Sequence, residues 1–159
     1  MKALRIGILF CFCLLAYIGY AADKNSLSST SWRLVNVQCT AVAKDAVSQA
    51  YVDSSLAYLQ KPQVTGADAF ECEFTETELV RRSKGNAGNW KYKLTGNKLI
   101  VDFGGGKLFV LDVKSLSEKE LVLVLDKKRF FISEYAPKDE ALPALIQSLD
   151  LEYTFQVKE

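Results

Sequence analysis

The sequence predicts an all-β protein: an antiparallel up-and-down β-barrel of about eight or nine strands, with one helix after the first strand and a short helix before the last. Its clearest sign is period-two alternation, as where Phe70, Cys72 and Phe74 alternate with polar residues. Such alternation is typical of strands with one face on a core and one in water. The connections are also too short for crossover helices, so neighbouring strands must be antiparallel. So many consecutive strands must close or stack to hide their edges, which favours a barrel.

The first strand is predicted at Trp32–Cys39. Its apolar phase slips between Leu34 and Val35, which indicates a β-bulge. Thr40 then offers a side chain that could cap a helix over Ala41–Gln60.

A run of short strands follows, separated by turns rich in glycine, asparagine and lysine. The predicted strands are Ala69–Thr75, Glu78–Ser83, Asn89–Leu94, Leu99–Phe103, Lys107–Val113, Leu121–Leu125 and Arg129–Tyr135.

The C-terminal part of the chain predicts a helix and one more strand. Leu142, Leu145, Ile146 and Leu149 repeat at three and four residues, the stripe of a short amphipathic helix. Leu151–Lys158 alternates again and is predicted to be the last strand.

The N-terminus has the layout of a secretory signal peptide. Lys2 and Arg5 precede an uncharged apolar run, Ile6–Ile18, and Gly19 and Ala21 supply small residues before a cleavage site. We therefore expect a secreted or periplasmic protein whose mature chain begins at residue 22 or 23. An uncleaved membrane anchor is the less favoured alternative, because the apolar stretch is only just long enough to approach a spanning helix.

These features divide the chain into a signal peptide (1–21), a polar tether (22–31) and one barrel domain (32–159). The full chain has a formal net charge of +1. Removing residues 1–21 takes away two basic residues and no acidic one, so the mature chain carries about −1. This balance gives no basic footprint for nucleic-acid binding.

Two cysteines remain after cleavage, Cys39 and Cys72. An oxidising compartment would allow them to form a disulfide. They could equally be two buried thiols, because Cys72 shares the apolar phase of its strand and free cysteine packs well in cores.

Three short motifs resemble those of lipocalins and bacterial lipocalin-like domains. They are Thr30–Leu34, which contains Trp32, then Asn97–Val101, and the phrase from Leu116 to Leu123. The resemblance implies a calycin-type barrel that binds small molecules. It also implies a structural role for Trp32, whose ring would close the bottom of the barrel.

The residue inventory offers little for catalysis. The chain contains no histidine, which excludes Ser-His and Cys-His pairs and every imidazole metal site. The acidic residues Glu71 and Glu73 oppose the apolar phase of their strand, so they are expected on the solvent-facing surface. We predict no enzyme activity, no catalytic residue, no metal site and no cofactor.

Aromatic residues at predicted inward positions could line a pocket or simply fill the barrel, because eight strands enclose barely more than side chains. They are Trp32, Phe70, Phe74, Trp90, Tyr92, Phe109, Phe131, Tyr153 and Phe155. The resemblance favours a small pocket or one at the barrel mouth, with Trp90 and Tyr92 among its walls.

Arg81 is a further candidate for ligand binding. Arg81 and Arg82 are adjacent on one strand and must face opposite sides, so one of them could bind the carboxylate of an acyl ligand inside the barrel. The alternative is that both reach solvent from a strand end.

The helix at Ala41–Gln60 carries Tyr51 and Tyr58. If the helix lies at the barrel mouth, these rings could form the rim of the site. If it packs on the outer wall, they would cover Leu121–Leu125 instead.

The sequence thus predicts an exported protein that binds a small apolar or amphipathic molecule. The alternative is a filled barrel that acts as a cell-envelope interaction module with a protein partner. The oligomeric state is not encoded in any of these features.

Overall fold

The computed structural model describes residues 27–28, 30–60, 70–128 and 141–158. Eight antiparallel strands form a closed barrel in which each strand pairs with the next and the last pairs with the first. This confirms the predicted fold class. The elements are β1 (Ser31–Ala43), α1 (Ala46–Gln60), β2 (Glu71–Phe74), β3 (Glu78–Ser83), β4 (Asn86–Thr95), β5 (Lys98–Asp102), β6 (Leu108–Leu116), β7 (Glu120–Asp126), α2 (Leu142–Leu145) and β8 (Ile146–Val157).

The first and last strands close the barrel. Trp32 on β1 stands opposite Cys72 of β2 on one side and Val157 of β8 on the other. The β1–β8 pairing then continues as far as Ala43 opposite Ile146, whereas the register of β7 with β8 begins only at Asp150. Among the described strands, β1 and β8 therefore project beyond their neighbours as a two-stranded ribbon.

Two bulges interrupt the β1–β8 register. The first lies between Leu34 and Asn36, which confirms the phase slip seen in the sequence. The second skips Gln147 on β8 and brings Ile146 and Leu149 to the same buried side. Their three-residue spacing therefore comes from a bulged strand, and the predicted C-terminal helix is wrong beyond Leu145.

The start of the first helix also differs from the prediction. Thr40 lies within β1, and α1 begins at Ala46. Asp45 provides the cap: its carboxylate accepts hydrogen bonds from the backbone N–H of Ser48 at 2.8 Å and from the Ser48 hydroxyl at 3.1 Å. These bonds hold the pKa of Asp45 below its usual value. The strand continues past Thr40 because Ala41 and Ala43 keep the buried phase.

Three expectations fall wholly or partly outside the described residues: the signal peptide at 1–21, the strand at Arg129–Tyr135, and most of the tether at 22–31. Within that tether, Leu27 is fully buried in the core and Ser28 bridges to Phe74. The packed domain therefore begins before Trp32, and Leu27 does not belong to a solvated tether.

Two clusters of buried residues make up the core. The larger fills one end of the barrel around Trp32 and Phe74. The smaller lies on the projecting ribbon, where Val52 and Leu56 of α1 pack against Ala41 and Ile146. Closer to Trp32, the same face of β1 and β8 lines the barrel interior. The α1 helix therefore sits at the end of the barrel opposite Trp32. Among the described residues, no helix is both long enough and apolar enough to cross a bilayer.

Candidate binding site

A cavity of about 350 Å³ lies inside the barrel, between the packed end and the α1 end. This volume falls within the range of small-molecule sites. Its walls come from seven strands or their margins, and nearly all are apolar. The lining residues are Phe70, Cys72, Phe74, Leu79, Arg81, Trp90, Leu99, Val101, Phe103, Phe109, Leu111, Leu123, Leu125, Tyr153 and Phe155.

Arg81 is the charged residue of this lining. It follows Leu79 on the inward face of β3 and stands opposite Cys72 of β2 and Gly88 of β4. Its guanidinium carbon lies 4.3 Å from the centre of the Phe70 ring, a cation–π distance. Among the described residues, no carboxylate forms a salt bridge with Arg81. The cavity therefore has an apolar interior and a cation at its mouth.

Arg82 provides the contrast on the same strand. Its Nη1 donates to Glu73 Oε2 at 2.9 Å on the outer surface. The two arginines thus leave β3 on opposite sides, and both are exposed to solvent, Arg81 at the cavity mouth and Arg82 on the outer surface. On the same outer face, Glu71 accepts from Lys158 at 2.8 Å and from Arg33 at 3.4 Å, and Lys158 is the larger cause of the lowered pKa of Glu71.

Trp90 lies opposite Leu79 and forms one wall of the mouth. Its ring centre is 4.9 Å from that of Phe103, which is in turn 4.7 Å from that of Phe109. A Cβ at Gly88 would stand 2.7 Å from the Trp90 ring, closer than carbon atoms pack. The absence of a side chain at position 88 therefore allows the indole to lie against the β4 backbone.

Tyr92 and Trp32 belong to the packed end of the barrel rather than to the cavity wall. The Tyr92 hydroxyl donates to the Thr75 carbonyl at 2.7 Å, and the Tyr92 ring meets Phe74 edge-on at 5.2 Å. Burial raises the pKa of Tyr92. Trp32 is fully buried, and its indole N–H has no hydrogen-bond partner among the described residues.

Tyr51 and Tyr58 occupy a different part of the molecule. Both lie on the outer side of α1, and their side chains are exposed. The structure therefore brings together Arg81 and Trp90 of the predicted binding residues, places Tyr92 deeper in the core, and leaves the two helix tyrosines away from the described cavity wall.

Cys39 and Cys72 are both free and buried. Cys72 stands opposite Trp32, and Cys39 lies seven residues further along β1. At about 3.3 Å per residue this separates the two α-carbons by roughly 20 Å, whereas a disulfide needs less than about 7 Å. The disulfide hypothesis is therefore wrong here, and the alternative of two buried thiols holds.

Burial disfavours negative charge on the side chains of the cavity wall, whereas the positive charge of Arg81 favours it nearby. Burial raises the pKa of the Cys72 thiol to about 12, opposed by the Arg81 charge. Burial is also the main cause of the raised pKa of Tyr153, again opposed by Arg81. Arg81 thus favours an anion at the mouth of a site that otherwise selects apolar groups.

Two features of the site were not predicted. Phe103 was assigned to a strand end, yet it bridges the rings of Trp90 and Phe109. Gly88 was predicted to lie just before a strand, yet it lies within β4 and faces inward on the same side of the strand as Trp90. A glycine two residues before an inward tryptophan was the available signal.

Comparisons with known proteins leave the site to be interpreted from its geometry. No model of a known protein family matches this chain, and no curated protein matches it. Within the described part of the chain, no group of three or more histidine, cysteine or acidic residues is placed to hold a metal ion.

Proposed function

We propose that this protein binds a single-chain anionic amphipathic molecule, with its apolar chain inside the barrel and its anionic group on Arg81. The observation that most supports this proposal is the position of Arg81 at the mouth of an apolar cavity of about 350 Å³. Its guanidinium has no carboxylate partner among the described residues and lies against the Phe70 ring. Arginine binds carboxylates and phosphates through two parallel hydrogen bonds. The walls around it supply the apolar surface for a chain. The lipocalin-like motifs support the same function.

Linear saturated carboxylates of six to twelve carbons test this proposal. Each added methylene should tighten Kd by about fourfold, since burying one CH₂ contributes about 0.8 kcal/mol. The gain should stop when the chain fills the cavity. Alcohols of the same length should bind roughly 10- to 100-fold more weakly, because hydrogen bonds to charged groups contribute about 1.5–3 kcal/mol.

Arg81→Gln should remove the preference for carboxylate over alcohol. Arg82→Gln is the matched control, because it removes the same charge from the next residue on the outer surface. Titration calorimetry and thermal shift measure both effects; a ligand at one hundred times its Kd should stabilise the fold by about 2.7 kcal/mol. If no carboxylate or alcohol binds, the carrier function fails, and the envelope interaction module becomes the better hypothesis.

We further propose that the protein acts after export, as residues 1–21 indicate. Intact-mass measurement of the protein from its native host should give a chain that begins at Ala22 or Asp23. A mass that includes residues 1–21, in the membrane fraction, would instead support an uncleaved anchor.

A further inference from the structure

A second pocket of about 240 Å³, the outer pocket, lies next to the cavity mouth on the inward face of the β3–β4 hairpin and has a mixed polar and apolar lining. Arg81 and Trp90 line both spaces. Ser83 and Asn86, which pair across the hairpin, stand beyond Arg81 at its tip. The inward face of this hairpin therefore changes in order from apolar to cationic to uncharged polar.

This order constrains the ligand, given the proposed function on which the inference rests. A fatty acid would end at Arg81 and leave the outer pocket unused. The outer pocket instead suits a ligand whose anionic group links two parts, an apolar chain that enters the cavity and a polar head group that lies outside it. A phosphodiester is such an anion, and its oxygens suit a guanidinium.

The chemistry of the outer pocket indicates the type of head group. The Ser83 hydroxyl donates to the Asn86 backbone carbonyl at 3.4 Å and keeps its acceptor capacity, and the Asn86 side-chain amide both donates and accepts hydrogen bonds; together they suit the hydroxyls of a polyol. A quaternary ammonium group forms no hydrogen bonds of this kind and would lie beside the positive charge of Arg81. We therefore propose that the β3–β4 hairpin is a head-group site for single-chain phosphodiesters with a hydroxylated head, such as a monoalkyl phosphoglycerol.

Three probes with the same decyl chain test this proposal: decyl phosphoglycerol, decyl methyl phosphate and decyl phosphocholine. The first two carry the same single negative charge and differ only in the head group. We expect decyl phosphoglycerol to bind about tenfold tighter than decyl methyl phosphate, as one or two additional neutral hydrogen bonds would give. Decyl phosphocholine should show no such gain.

The double variant Ser83→Ala, Asn86→Ala should abolish the tenfold difference and leave the Kd of decyl methyl phosphate unchanged. Lys84→Ala is the control at the same hairpin, because Lys84 is exposed and lies outside both linings. Equal binding of the two phosphodiesters, tighter binding of the choline probe, or a difference that survives the double variant would each overturn the head-group site. Those outcomes leave the carrier function intact, whereas failure of all three probes and of decanoate would refute both.

Discussion

The most direct test of the packed end is the replacement of Trp32, which is fully buried among the side chains of the larger core cluster. Trp32→Ala should lower the free energy of unfolding by about 3–5 kcal/mol, the usual cost of removing a large aromatic ring from a core. For a domain of this size, that corresponds to a fall in Tm of roughly 10–20 °C.

A second substitution separates the ring from its N–H group. Trp32→Phe keeps an aromatic ring and removes the buried indole N–H, which has no partner among the described residues. Because an unpartnered buried donor itself costs about 1–3 kcal/mol, this variant should lose clearly less stability than Trp32→Ala.

Urea denaturation followed by far-UV circular dichroism measures both effects. The midpoint should fall while the m-value stays constant, since the surface exposed on unfolding is nearly unchanged. Val47→Ala is the control: its side chain is 91% exposed, and its effect should stay within about 0.5 kcal/mol. A loss below about 1 kcal/mol for Trp32→Ala would refute the packing described here and weaken the resemblance to lipocalins.

The cysteines provide the remaining prediction. In a chain that begins at residue 22 and carries Cys39→Ala, the native Cys72 thiol should resist alkylation at pH 8 and react readily once the protein is unfolded. The reason is that burial raises the pKa of this thiol to about 12 from 9.0. Since the folded pKa is the higher one, the contribution of Cys72 to stability is complete below about pH 9 and is lost as the pH rises from 9 towards 12; Cys72→Ala should remove this part of the alkaline decline. Rapid alkylation of the native protein at pH 8 would show that the thiol is not buried.

Most of the barrel was predictable because alternation and turn chemistry are local properties of the chain. The strand Glu78–Ser83 was placed at its observed bounds, and the bulge after Leu34 was placed correctly. The C-terminal helix was overextended because a bulge at Gln147 gives a strand the same three-residue spacing as a helix. The start of α1 was misplaced because Thr40 and Asp45 are both good caps, and only tertiary packing decides between them.

The site was less predictable than the fold. Adjacent residues of a strand face opposite sides, so the sequence indicates that one of Arg81 and Arg82 faces inward. Which of the two does so depends on the cross-strand register. The cavity depends on three-dimensional packing, in which the α1 helix covers the projecting ribbon and leaves the space beside Trp90 unfilled. No local sequence pattern predicts such a cavity. For the same reason Tyr51 and Tyr58 could be placed on a helix but not on a particular side of it.

Closure of the barrel by its first and last strands has a kinetic consequence. Trp32 and Val157 are paired across 125 positions of sequence, and joining ends so far apart costs about 4 kcal/mol of chain entropy, against about 1 kcal/mol for a four-residue hairpin loop. The hairpins should therefore form early and the β1–β8 seam late. Because β1 precedes β8 along the chain, the edge of β1 that pairs with β8 stays unpaired until β8 has formed and docked. During that interval the longest of the described strands is open to pairing with other chains, so the rate at which the β1–β8 pairing forms helps to determine folding yield.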